Sequence, residues 1–179
     1  MKIFIIAGKA GSGKGEVAKL INEFYIYKLQ NNVITEYSKY IKEYAKELTE
    51  WDGISKNKPR DFLQSFGSKI RSYDKYFFTK RMIEDIKVYS FANIDNVIIA
   101  DTRLPEEIEK IKENYDNVYT ICVENQFAPS TLTIEQQAHI TEIALDNYDD
   151  FDYIVANDSL DKLKPKIFAF LEGIENNEK

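Results

Sequence analysis

The chain has 179 residues, the size of one domain, with 44% apolar and 30% charged residues, a composition that excludes a disordered, fibrous or membrane chain. Its 24 Lys/Arg against 30 Asp/Glu give a net charge of −6, which argues against a nucleic acid duplex as partner, because that binding needs cations to neutralise phosphates. The single cysteine, Cys122, excludes an internal disulfide framework and a cysteine-rich zinc site and fits a reducing, cytoplasmic setting.

The run from Lys2 to Ala7 reads as a first strand. It is too short for a signal sequence, and Gly8 to Gly15 follow it in place of a cleavage site. No later stretch approaches the roughly 20 apolar residues of a membrane span. Val17, Leu20, Ile21, Phe24 and Tyr25 have helical spacing, and Val33 to Tyr37 reads as a second strand. Residues 36–90 hold 12 Lys/Arg against 9 Asp/Glu, a positive segment in an acidic protein. Three of the four arginines, Arg60, Arg71 and Arg81, lie there, and guanidinium grips phosphate or carboxylate in bidentate fashion. A solvated helix face is the plain alternative.

Helical spacing continues through Ile70, Tyr73, Phe77, Ile83 and Ile86, with Tyr73 and Phe77, like Phe24 and Tyr25, expected in the core. Strands are then predicted at Asn96 to Ala100, Asn117 to Val123 and Phe151 to Ala156, with a helix around Ile108 and Ile111. There is no repeat or linker, so residues 1–179 form one continuous domain. Alternating strands and helices predict an α/β fold, a five-stranded, mainly parallel sheet with helices on both faces and ligands at the strands' carboxyl ends.

Two features carry chemistry. Gly8-Lys9-Ala10-Gly11-Ser12-Gly13-Lys14-Gly15 matches G-x-x-x-x-G-K between the first strand and the first helix. Glycines let successive N–H groups turn toward phosphate oxygens, while the helix N-terminus and Lys14 add positive potential. Gly8, Ala10, Gly11, Ser12, Gly13, Lys14, Gly15 and Glu16 are therefore the candidate ATP-binding set. Gly15 stands where many such loops place a hydroxyl for Mg²⁺. The third strand ends in Asp101, placed to orient Mg²⁺ at the sheet edge. A helix-capping Asp is the plain alternative there.

The residues after Asp101 extend the pattern. Asp101-Thr102-Arg103-Leu104-Pro105-Glu106-Glu107 resembles the D-x-R-F-P-N-E signature of the phage and bacterial deoxynucleoside monophosphate kinase family. Gly8 to Gly15 is similar to that family's G-x-x-x-S-G-K loop, and Tyr37 to Glu43, with Lys42, resembles its F-A-D-P-L-K-E segment. Pro59 to Gln64 and Gly67 to Arg71 resemble its R-x-x-L-Q and G-x-x-x-R elements, matching Arg60, Gln64 and Arg71. His139-Ile140-Thr141-Glu142 resembles an H-x-S-E element opening a helix, and Asp152 to Asn157 resembles the closing D-x-x-I-x-N strand.

The resemblance implies a P-loop NTPase three-layer fold with strand order 2-3-1-4-5, a small lid at residues 124–137, and phosphoryl transfer from Mg²⁺-ATP to a deoxynucleotide. It implies catalytic roles for Lys14, Asp101 and Arg103, and Asn157 beside the donor adenine. Residues 36–90 become the acceptor region, with Lys42, Arg60, Gln64, Arg71, Arg103, Glu107 and His139 as candidate acceptor contacts. The lysine-glycine pair after the loop is shared with adenylate kinases and points away from GTPases. Two departures stand out: Lys39 replaces the family's Asp, and residues 124–137 contain neither Arg nor Lys. Charge neutralisation then falls to Arg103 and the middle-segment arginines, or transfer is slow, or the acceptor differs. A kinase for another small acceptor, such as dephospho-coenzyme A, and a nucleotide-binding regulator without transfer remain alternatives. The expected partners are small-molecule nucleotides, with no membrane and with a homodimer left open. Thr133 and Gln136 read as a capping box.

Overall fold

The computed structural model describes residues 1–54, 57–125 and 132–177. Strands β1 (Lys2–Ala7), β2 (Asn32–Thr35), β3 (Asn96–Thr102), β4 (Val118–Glu124) and β5 (Tyr153–Ala156) form one sheet in the order β2-β3-β1-β4-β5. Every pairing is parallel, with Ile5 opposite Ile99 of β3 on one side and Thr120 of β4 on the other. The connections run through α1 (Lys14–Tyr27), α2 (Lys39–Leu48), α3 (Arg60–Tyr73), α4 (Phe77–Phe91), α5 (Pro105–Lys112), α6 (Ile134–Gln137) and α7 (Ile140–Ile143), and α8 (Leu160–Asn177) follows β5.

The central strands are apolar at successive positions because helices cover both faces of the sheet. Side chains alternate across a strand. Phe4, Ile6, Ile98 and Val123 therefore pack with Val17, Ile21, Leu163, Ile167 and Leu171 of α1 and α8. Ile3, Ile5, Val97 and Ile99 pack with Ile41, Met82, Ile86 and Ile108 on the opposite face. Two hydrophobic layers clamp the sheet, and its carboxyl edge is left for ligands. Among the described residues, no helix is long and apolar enough to cross a membrane.

Several boundaries differ from expectation, each for a local reason. β2 stops at Thr35 instead of Tyr37 because the amides of Tyr37 and Ser38 turn to donate to Asp101 at 2.7 and 3.0 Å. Tyr37 drops into the second core, where its hydroxyl donates to the Glu107 carbonyl at 2.7 Å. β3 runs on to Thr102, so Asp101 lies inside the strand and not after it. β5 starts at Tyr153 instead of Phe151, after Asp152 has accepted hydrogen bonds from the Thr120 amide and hydroxyl at 2.7 and 2.6 Å. The helical pattern from Ile70 to Ile86 splits into α3 and α4, and in the break Asp74 accepts from the Tyr76 amide at 3.0 Å. Tyr73 beside that break is 81% exposed and Phe77 38% exposed, so this pair is not core, whereas Phe24 and Tyr25 are buried as expected.

Candidate active site

The loop between β1 and α1 has positive φ at Gly8, Gly11 and Gly13. Side chains are excluded at two of these positions by space as well as by conformation. A Cβ at Gly8 would lie 2.4 Å from the Val123 carbonyl, and one at Gly13 would lie 2.1 Å from the Asn157 amide nitrogen. Ser12 N–H donates to the Lys9 carbonyl, Glu16 N–H to the Gly13 carbonyl and Ala10 N–H to Glu142. The N–H groups of Gly11, Gly13, Lys14 and Gly15 have no partner among the described residues. Those of Gly13, Lys14 and Gly15 sit at the start of a 14-residue helix, whose partial positive charge they share. That combination is an anion cradle.

Lys14 is the cation of the cradle. Its side chain is buried, and Nζ donates to the carbonyls of Gly8 and Lys9, both at 2.7 Å. Burial, reinforced by Arg103 nearby, lowers its pKa to about 7. The free lysine is thus poised between charged and neutral, and a phosphate beside it would restore the ammonium. The Ser12 hydroxyl is buried in the same loop without a partner among the described residues. Asn157 props the loop from beneath: its Nδ2 donates to the Ser12 carbonyl at 2.9 Å and its N–H to the Glu124 carbonyl at 2.7 Å. It lines neither of the two cavities that flank the loop. The Glu16 carboxylate pairs with Lys19 at 2.7 Å and its amide donates to the Gly13 carbonyl at 2.9 Å.

Beside the loop, α2, α3 and the end of β3 enclose a cavity of about 140 Å³. Five cations line it, Lys42, Lys58, Arg60, Arg71 and Arg103, against the carboxyl groups of Asp101, Glu107 and Glu142. Lys42 pairs with Glu36. Arg71 lies over the Phe78 ring at 5.6 Å, packed along α3 where Gly67 leaves room for its guanidinium. Burial lowers its pKa. Lys58 is brought down to about 8 by burial and then by Lys42. Gln64 also lines this cavity and donates to the Gln136 carbonyl at 3.3 Å.

The carboxyl groups are organised differently. Asp101 Oδ1 accepts from the Tyr37 amide, and Oδ2 accepts from the amide and hydroxyl of Ser38, at 3.0 and 2.5 Å. It anchors the turn after β2 and keeps one free lone pair on Oδ1. Glu107 is buried, accepts from the amides of Arg103 and Leu104 at 2.8 and 3.1 Å, and is raised by that burial to about 8. It fixes the backbone that carries Arg103, and its burial favours the neutral form.

A second cavity, of about 410 Å³, opens along Gly8 to Ser12 against the ends of β4 and β5. Of its lining, only Arg103, Thr141 and Glu142 also line the first cavity. Thr141 and Glu142 belong to α7, which is held to α3 by His139. His139 Nε2 lies 3.0 Å from the Ser68 hydroxyl, while Nδ1 accepts from the Thr141 amide at 3.3 Å. Burial and then Arg71 lower the His139 pKa, yet this side chain lines neither cavity and serves as a cap and tie.

Of the expected lid, residues 126–131 lie outside the described residues. Its end, α6, carries the Thr133–Gln136 capping box, with both bonds at 3.2 Å, and Gln136 donates to Asp61 on α3 at 2.7 Å. Two site groups are missing from the residues that the sequence singles out. Lys58 precedes Pro59-Arg60 in the positive segment, which is its only signal. Glu142 lies in the H-x-S-E element, where the pattern by itself marks only a helix start.

A family model described as deoxynucleotide monophosphate kinase matches residues 30–167. No curated protein matches the chain in sequence. Among solved structures, the chain is similar to an APS kinase from Mycobacterium tuberculosis in complex with AMPPNP and APS, at 13% identity and a TM-score of 0.60, covering 96% of this chain and 97% of that one. It is similar to a sugar kinase from Janibacter sp. HTCC2649, at 10% identity and a TM-score of 0.56, with 96% and 95% covered. A gluconokinase from Sinorhizobium meliloti 1021 gives 13% identity and a TM-score of 0.54, with 98% and 94% covered. At such identities these likenesses speak for the fold, a P-loop kinase fold with the expected strand order.

Proposed function

The chain belongs to the deoxynucleotide monophosphate kinase family, and from that premise we propose that it transfers the γ-phosphoryl group of Mg²⁺-ATP to a deoxynucleoside monophosphate within one domain spanning residues 1–179. Membership makes it an ATP-dependent nucleotide kinase; the acceptor and the residue roles are our reading. One observation carries it. An anion cradle of Lys14 and amides without partners among the described residues lies beside one cavity, a second cavity holds five cations, and Arg103 lines both.

In the reaction a monophosphate oxygen attacks the γ-phosphorus, the bond to the β–γ bridging oxygen breaks, and ADP leaves with the electron pair. Little covalent chemistry falls to the protein, which positions the reactants and neutralises charge. Lys14 and the amides of Gly11, Gly13, Lys14 and Gly15 hold the donor phosphates. Lys42, Lys58, Arg60 and Arg71 draw the acceptor phosphate into the first cavity, and Gln64 offers a polar edge there. Arg103 balances charge on the moving phosphoryl group.

The cations thus come from α2, α3, the segment before α3 and the end of β3, which accounts for a lid segment without Arg or Lys. The residues present fit Mg²⁺ that arrives with ATP and keeps its water shell: glycine follows Lys14, the Ser12 hydroxyl has no partner among the described residues, and Asp101 keeps one lone pair. Bound there, it would be held by Asp101 and the Ser12 hydroxyl through its water shell and would supply positive charge to offset that of the donor phosphates.

The test is ADP formation from Mg²⁺-ATP with each common ribo- and deoxyribonucleoside monophosphate, and with dephospho-coenzyme A alongside. Stimulation by one or a few deoxynucleotides is the expected result. ATP binding with no stimulation by any nucleotide would overturn the acceptor assignment and leave another small acceptor or a regulatory role.

A further inference from the structure

Glu142 neither holds a nucleotide nor balances charge in this reaction, yet it is the buried end of a chain of contacts. Its side chain is 8% exposed. Oε2 accepts the Ala10 N–H at 2.9 Å, and both carboxylate oxygens lie 2.8 Å from a single nitrogen of Arg103, Nη1. The carboxylate therefore joins the phosphate loop to the one arginine that lines both cavities. Arg103 makes no other side-chain hydrogen bond among the described residues, so Nε and Nη2 remain for phosphoryl oxygens. A fork-on-fork pair would have consumed two donors and closed off that edge.

The support behind Glu142 is equally specific. α7 is tied to α3 through His139 and Ser68, α6 is tied to α3 through Gln136 and Asp61, and Lys9 of the loop pairs with Asp146 just beyond α7 at 2.7 Å.

Resting on the kinase reading above, we propose that Glu142 is a positioning residue for phosphoryl transfer: anchored on the Ala10 amide, it holds Arg103 by one nitrogen and presents the rest of the guanidinium to the phosphoryl group between donor and acceptor. It acts through Arg103 and touches neither substrate. Its loss therefore costs the chemical step more than the binding of either nucleotide.

Two measurements test this. The first is kinetic, on Glu142→Ala, Glu142→Gln, Arg103→Ala and the Glu142→Ala/Arg103→Ala double variant, with thermal unfolding checked for each. Glu142→Ala is expected to lower kcat about 10- to 100-fold, the cost of misplacing a charge-balancing group, while the KM for ATP changes little. The double variant should match Arg103→Ala alone, because the carboxylate has nothing left to position. Losses that multiply, or an unchanged kcat in Glu142→Ala, would overturn the proposal. So would tighter ATP binding with undiminished kcat, which would make the carboxylate a competitor of phosphate at the Ala10 amide.

The second measurement needs no turnover. The chain has four arginines, so their Nε–H resonances can be assigned by Arg→Lys variants. Glu142→Gln should shift the Arg103 signal and speed its guanidinium rotation, leaving Arg60, Arg71 and Arg81 unchanged. An Arg103 signal that does not move would overturn the proposal even if the kinase reading held. A wild-type protein without acceptor-stimulated ADP formation would instead break the kinase reading, with the resonance result still deciding whether Glu142 holds Arg103.

Discussion

On the proposed reading, the donor and acceptor halves of the site are built from different materials. The donor cradle comes from one contiguous loop, and its working groups are mostly backbone N–H groups released by the positive-φ glycines Gly11 and Gly13. The acceptor cavity is made of side chains from residues 37–107 and from α7, brought together by the packing of α2, α3 and β3. A backbone-made site is rigid and depends little on single side chains apart from Lys14. A side-chain-made site spreads its charge over five cations. Arg103 and Glu142 line both cavities and are bonded to each other.

The sharpest way to break this comparison is Lys14→Ala, which removes the buried cationic side chain of the cradle. It should cost roughly 10²- to 10³-fold in kcat/KM, the scale of losing one preorganised charge-stabilising donor. A loss smaller than that of any single acceptor-side cation would overturn the assignment of the loop as the donor seat.

Arg71→Ala probes the other half. It should raise the acceptor KM or lower kcat by roughly tenfold, as expected for one charge-assisted hydrogen bond, while ATP affinity by calorimetry stays put. An equal loss of ATP affinity would show that the two halves are not separate.

The smallest expected effect is that of pH on ATP binding. The free protein holds Lys14 near a pKa of about 7 through burial and Arg103. Bound phosphates favour the charged form, so binding takes up a proton above pH 7 and affinity falls as pH rises, by roughly fivefold between pH 7 and 8. Calorimetry in two buffers of different ionisation enthalpy reads that proton directly. Proton release, or a flat profile, would mean that Lys14 keeps its contacts to Gly8 and Lys9 when nucleotide binds.

The sequence determined the donor half and the frame. Apolar runs at strand length alternating with helical spacing led to the α/β sheet, and Gly8 to Lys14 fixed the cradle because its working atoms are backbone, placed by local φ and ψ alone. Arg60, Gln64, Arg71, Arg103 and Lys42 were also legible, and they do share one cavity.

Tertiary structure decided what each remaining group does. Asp101 was legible as a carboxylate at the sheet edge, but only the fold shows three of its hydrogen bonds spent on Tyr37 and Ser38. Asn157 and His139 turned out to hold the loop and α7, and Glu107 to hold the Arg103 backbone. Lys58 and Glu142 gained meaning only when residues 45 positions before and 39 after Arg103 met it around one cavity. Local conformation is written in neighbouring residues and can be read there. The charge, burial and partner of a side chain depend on what the fold packs against it from far along the chain, and no short pattern carries that.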